Sequence, residues 1–286
     1  MAFAFSIKDK TVERTLRRIA RQRLSASLDL LQADRMARDE LVHELRKNTK
    51  KLRALLRLVR SEFTGFEREN NALRDAAQII SEQRDADVLG RLFNALAAES
   101  GLDAGRITAL RARHFATIRP ATDLTDALMA HGRAIADINR RAGKWRVAAA
   151  GFAALDGGLE RSWSAARRAM RLALAAPGGE ALHRGRKRIK DHWYQARLLA
   201  PIWPEMMAPH IATADLLGET LGDARDLARL AEALAGDRDA ALIAHLATGR
   251  ATELLRRAGP VAARFLSEPP EGLARRWRGW WEVWQG

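Results

Sequence analysis

The 286-residue chain contains no cysteine and a single tyrosine, and none of its apolar runs approaches the ~18–20 residues that a membrane-spanning helix requires. Without cysteine there is no disulfide scaffold, no thiolate metal site and no cysteine nucleophile, and a reducing, cytoplasmic setting is expected. The opening MAFAFSIKDK is apolar over too short a stretch for a secretory signal, and its basic residues follow the apolar ones instead of preceding them. Alternating β-branched runs are nearly lacking, which argues against a sheet. The Walker A, G-x-G-x-x-G, H-E-x-x-H and G-x-S-x-G patterns are also lacking. Acid is scarce relative to base. There are 35 Asp plus Glu against 49 Lys plus Arg, a net charge of +14. A field of that sign attracts polyanions: nucleic acid, an anionic membrane or a phosphate polymer.

What is present points to helices. Ala, Leu and Arg dominate, and apolar positions recur at three- and four-residue spacing. Pro and Gly gather at a few points, SGLDAG (100–105), RPATD (119–123), APGGE (176–180), APIWPEMMAP (200–209) and SEPPEG (267–272), leaving segments suited to bundle helices. An all-α fold is expected. A motif also returns. His43, Arg46, Lys47, Lys50 and Arg57 match His183, Arg186, Lys187, Lys190 and Arg197 at one offset of 140 residues. QRDADVL (83–89) resembles ARDLARL (224–230), and Arg14 and Arg21 have counterparts in Arg161 and Arg168 at a looser offset. Two similar halves are expected, residues 1–142 and 143–286.

At about 100 degrees per residue, His43, Arg46, Lys47, Lys50, Arg53 and Arg57 share one helix face, opposite Leu41, Leu45, Leu52, Leu56 and Val59. The second copy puts His183, Arg186, Lys187, Lys190 and Arg197 on its matching face, with Tyr194 beside them. A solvated surface normally interleaves Glu at i,i+4, whereas residues 43–60 hold Glu44 as the one acid, off to the side of the cations. Uncompensated cations repel one another, so an anionic ligand is the economical reading. Arg14, Arg17, Arg18 and Arg21 make a further stripe, thinner in Arg161, Arg168 and Arg171, that could extend the surface.

VHELRKNTKKLR and LHRGRKRIKDHWY, with RDADVL downstream of the first, resemble the two halves of a CHAD domain, the conserved-histidine α-helical domain. The resemblance runs from about residue 8 to the last helices. It implies two four-helix bundles related by a pseudo-twofold axis, with the basic helices flanking a shared cleft. It also implies binding of inorganic polyphosphate and association with polyphosphate granules. The positions carried over are His43, Arg46, Lys50, Lys51 and Arg53, and His183, Arg186, Lys187, Lys190 and Tyr194. Lys47 departs from the family by adding a cation, while Asp191 and Trp193 stand where basic character is usual, so the first half is expected to bind more strongly. The CYTH domain often fused to such domains, with its E-x-E-x-K signature, is missing, and no triphosphatase chemistry is implied.

Polyphosphate has no bases to read, so a groove of Lys and Arg suffices, and the histidines would become better donors as pH falls. The expected protein is not an enzyme and needs no cofactor or metal. Two other readings remain. A nucleic-acid binder would want base-reading amides and stacking aromatics, and the basic helices offer little beyond Asn48. A metal-dependent phosphohydrolase could use Asp85 and Asp87, although Arg84 and Arg225 beside the RD acids favour ion pairs that orient helices. His183 and His192, nine residues apart, lie on opposite helix faces and cannot share a metal. In the tail, Leu273, Trp277, Trp280, Trp281 and Trp284 form an apolar stripe, read first as a helix capping the second bundle and second as an interfacial contact. Phe63 and Phe66 read as core anchors.

Overall fold

The computed structural model describes residues 3–33, 36–80, 85–115 and 124–286, without the side chains of 85–87. Among these residues there are eleven α-helices and no strand. They are α1 (Val12–Gln32), α2 (Arg38–Leu58), α3 (Phe66–Ile79), α4 (Asp85–Glu99), α5 (Ala104–Phe115), α6 (Leu124–Ala142), α7 (Ala153–Ala175), α8 (Gly179–Leu199), α9 (Pro204–Ala233), α10 (Ala241–Phe265) and α11 (Pro270–Gln285).

Local chemistry explains where helices start and which faces they bury. Thr11 caps α1 by accepting the Arg14 N–H at 3.1 Å. Val12, Leu16, Ile19, Ala20 and Leu24 then fall on the buried face at helical spacing. On α2 the buried set is Leu45, Leu52, Leu55, Leu56 and Leu58. Phe63 and Phe66, at the turn into α3, are both buried, in keeping with their spacing.

Helices α1, α2, α3 and α6 pack on one another, as do α7, α8, α9 and α10, with α11 laid on α7. Leu273, Trp277 and Trp281 are buried on α11, so the tryptophan stripe seals the end of this second group. Two sets of contacts tie the groups together. Helix α2 rests on α7 and α8, where a Cβ at Gly158 would lie 2.0 Å from the Leu58 carbonyl oxygen, so only glycine permits that approach. In the other set, α4 packs on α9 and α10. Beside it, between α9 and α10, Asp237 accepts from Arg113 of α5 at 2.6 Å and bonds His114 at 2.8 Å; these bonds, His114 first, hold its carboxyl down at about 2. The apolar core is continuous from Phe5 to Trp281.

One polar pair lies largely buried in the second group. His192 on α8 and His210 on α9 meet Nε2 to Nε2 at 2.7 Å, boxed by Trp163, Phe265 and Trp277. Burial, then the neighbouring His210, pushes His192 well below the usual histidine value, and burial, then Arg276, takes His210 down to about 4. Unfolding returns both rings to about 6.5. The unfolded chain therefore binds more protons below that pH, and stability falls as pH drops from about 6.5 toward 4, by about 1.4 kcal/mol per pH unit for each histidine. The thermal midpoint is expected to fall steeply between pH 7 and 5, and less steeply in His210→Gln. Identical profiles for the two proteins would contradict this account.

Candidate anion-binding seam

The two basic helices meet near their C-terminal ends and run antiparallel. Arg57 Nη1 on α2 donates to Asp191 Oδ1 on α8 at 2.9 Å, and the buried Gln195 amide reaches the Ala54 carbonyl at 3.4 Å and Ser162 Oγ at 2.9 Å. Cations line the seam on both sides.

On one side stand Arg53, Arg57, Lys187 and Arg188. Arg53 donates to Asn70 Oδ1 of α3 at 3.1 Å, and burial, then the charge of Arg57, lowers its guanidinium to about 10. Arg57 is likewise pushed below the usual guanidinium range by burial, which Asp191 opposes. Lys187 stands at the exposed rim, yet desolvation and the charges of Arg53 and Arg188 hold its ammonium below the ordinary lysine value. Asp191 is the acid at the centre, taking Arg57 on one oxygen and Arg188 on the other at 3.1 Å. Four cations thus converge on one carboxylate.

The remaining α8 cations differ from expectation. Lys190 Nζ sits 2.6 Å from Asp215 and 2.5 Å from Glu219 of α9, and Arg186 is 3.6 Å from Glu219. Their stems lie over glycines: a Cβ at Gly218 would come within 2.8 Å of Lys190 Cε, and one at Gly222 within 2.6 Å of Arg186 Cζ. Burial, then Glu219, raises the Asp223 carboxyl above its usual value. Lys47, expected to lack a counterion, pairs with Glu44 at 2.9 Å. On α3 the buried acid, Glu69, is taken by Arg141 and Arg68. Helix α3 therefore offers Arg53 a neutral amide where α9 offers Lys190 two carboxylates.

On the seam's other side lie Lys51, Tyr194 and Arg197. Lys51, carried over from the family resemblance as a binding position, is buried, and burial, then Arg23, Lys47 and Arg197, lowers its ammonium to about 8. The Phe3 ring stands 5.8 Å from its Nζ and 6.2 Å from the buried Tyr194 ring. Burial raises the Tyr194 hydroxyl to about 12, so it remains a donor. Arg197 stacks over Trp193 at 4.7 Å.

His43 and Arg46 are half-buried and Lys50 exposed on α2, each engaged in an interaction. His183, near the start of α8, is held below the usual histidine value by desolvation and then by Arg225. The α1 stripe divides. Arg18 binds Asp9 at 2.7 Å and the Ala4 carbonyl at 2.9 Å, and Arg17 binds Glu13 and the Trp145 carbonyl, both at 2.7 Å, so these two hold loops in place. Arg14 and Arg21, with Arg161 and Arg168 on α7, are exposed. Arg225 pairs with its neighbour Asp226 at 3.6 Å along α9, not between helices as expected. Arg84 and the carboxylates of Asp85 and Asp87 lie outside the described residues. Arg23, Asn70 and Arg188 were missed, though Arg188 lies within the motif RKRIK and Arg23 two residues beyond Arg21.

The chain matches the CHAD domain family over residues 18–235. It belongs to that family. The solved structure of PptA from Streptomyces chartreusis is similar, with a TM-score of 0.57 and 19% identity over 90% of this chain and 99% of that one, a likeness of fold. Curated proteins supply no match. The matched CHAD span contains α2, α8 and the whole of α9, hence the entire seam, while Phe3, α10 and α11 lie outside it. Among the described residues no helix is long and apolar enough to cross a membrane.

Proposed function

We propose that this protein binds inorganic polyphosphate along the α2–α8 seam, as a non-catalytic module that can dock on polyphosphate granules. In this reading residues 1–142 and 143–286 are two bundle halves related by the 140-residue offset, and the cleft lies where their basic helices meet. The observation that carries it is the convergence of Arg53, Arg57, Lys187 and Arg188 on the single carboxylate of Asp191. Crowding of like charge at partly desolvated positions is costly, and an anionic polymer relieves it. Arg supplies forks and Lys a point charge for phosphate oxygens.

The nucleic-acid reading fares less well. Asn48, the one amide suited to a base edge, is buried and donates to Ser27 Oγ at 3.2 Å. The acids around the seam, Asp191, Asp215 and Glu219, are each held by Arg or Lys, which makes them counterions before metal ligands. On α8, Asp191 and Trp193 stand where basic character is usual, and in this reading the first half contributes more of the affinity. The test is which lysines polyphosphate shields from acylation, and whether duplex DNA of equal charge shields the same ones.

A further inference from the structure

The two ends of the seam are not equivalent. The 140-residue offset maps Arg57 onto Arg197 and Lys51 onto Asp191. Where one end has an arginine bonded to a carboxylate, the other has an arginine facing a lysine. Lys51 is more than nine-tenths buried, and among the described residues it has a ring and cations around it but no bonded carboxylate. Glu44 opposes the cations only weakly and is already bound by Lys47. A second polar atom is stranded nearby: Arg23 Nε is buried without a hydrogen-bond partner. A buried donor without a partner beside a crowded, half-desolvated ammonium costs stability that a bound acceptor would recover.

The surroundings define what that acceptor can be. Phe3 forms a wall over Lys51, fixed in place because Phe5 N–H donates to the Leu198 carbonyl at 2.8 Å, Arg18 holds the Ala4 carbonyl, and the Phe5 ring is buried against Trp281. A polymer running through the seam would have to pass this wall, whereas a group that ends there would not. Building on the polyphosphate reading, we infer that Lys51, Lys47, Arg23, Arg197 and the Tyr194 hydroxyl form a site, walled on one side by Phe3, for the terminal phosphoryl group of a condensed phosphate. A chain end suits such a site because it is compact and carries an ionisation that internal units lack. The seam thus has an open, Asp191-tempered stretch for the length of a chain and a walled stretch for its end.

The experiment is calorimetric titration of the full chain with tripolyphosphate, long-chain polyphosphate and orthophosphate, for the wild type and Lys51→Asp. This variant recreates near Arg197 the pair found at Arg57–Asp191, so its thermal midpoint should equal or exceed that of the wild type. Tripolyphosphate affinity is expected to fall at least tenfold, on the order of one lost charge-assisted contact plus a repulsion, and long-chain affinity less than about threefold. Equal losses for both ligands would make Lys51 one more contact on the polymer track and overturn the pocket. So would unchanged tripolyphosphate binding, or orthophosphate binding as tightly as tripolyphosphate. If Lys51→Asp unfolds, Arg197→Gln must show the same selective loss, and absence of that loss overturns the proposal. Long-chain binding without tripolyphosphate binding removes the pocket and leaves the polymer site. Tripolyphosphate binding lost in Lys51→Asp, with no preference for long chains over DNA, leaves the pocket and removes the polymer site.

Discussion

Replacing Arg53 and Lys187 together by glutamate should lower affinity for long-chain polyphosphate by about a hundredfold or more at low salt, roughly 2.7 kcal/mol. The two residues sit on different helices on the same side of the seam, and each is already depressed in pKa by burial and then by neighbouring cations. Reversal removes two cations and adds two anions where the polymer must lie. The slope of log affinity against log salt should also flatten by about 1.4 or more, since each neutralised phosphate of a single-stranded polyanion contributes about 0.7. Lys190 is a poor choice for this test. Its ammonium lies between Asp215 and Glu219, so a glutamate there would face two carboxylates and the helix packing would suffer. The control is Arg106→Glu/Arg140→Glu, at two exposed positions away from the seam. It removes the same net charge and should weaken binding only about threefold, the share of the diffuse field. Equal losses in the two double variants would mean that net charge alone does the binding.

Asp191→Asn should act in the opposite direction on binding and stability. The Arg57 side chain is 13% exposed and Asp191 is 12%, so removing the carboxylate leaves a largely buried guanidinium unpaired. Losing one partner of a buried pair costs about 3–5 kcal/mol, and the residual exposure places this case toward 2–3 kcal/mol. For a chain of this size the thermal midpoint should fall roughly 5–10 °C. An anion laid on Arg53, Arg57, Lys187 and Arg188 supplies the missing charge, so saturating polyphosphate should recover most of that loss. Affinity should rise about tenfold, because the ligand no longer competes with an internal carboxylate. A variant that unfolds at the wild-type temperature and binds no more tightly would show that Asp191 is not the internal counterion.

Much of this was legible in the sequence, and what was not has a common cause. Apolar spacing and the Pro and Gly punctuation marked an all-α chain, and the repeated histidine helices marked α2 and α8, because those signals are local. Phe63, Phe66 and the α11 tryptophan stripe were readable for the same reason. The counterions were not. Asp215 and Glu219 lie 25 and 29 residues beyond Lys190, and no helical wheel drawn on one segment can place a second helix against it. Asp191 looked like a loss of basic character, whereas it balances Arg57 from the other half of the chain. The resemblance named Lys51 as a binding position, but its burial under α8 and Phe3 could be read only from the packing. His192 and His210 fall 18 residues apart on different helices, and only packing brings their rings together. In the α1 stripe that could extend the surface, Arg17 and Arg18 hold loop carbonyls and Asp9, while Arg14 and Arg21 are exposed.

The most direct measurement uses the chain's lysines, which occur at positions 8, 10, 47, 50, 51, 144, 187 and 190. Acylation of each can be followed by mass spectrometry in the free protein, with saturating long-chain polyphosphate, and with duplex DNA of equal charge. The seam reading predicts strong protection of Lys187 by polyphosphate, further protection on α2, little change at Lys8, Lys10 and Lys144, and weaker, unpatterned protection by DNA. Uniform protection across all eight lysines, or the same pattern and affinity with DNA, would contradict a polyphosphate site at the α2–α8 seam.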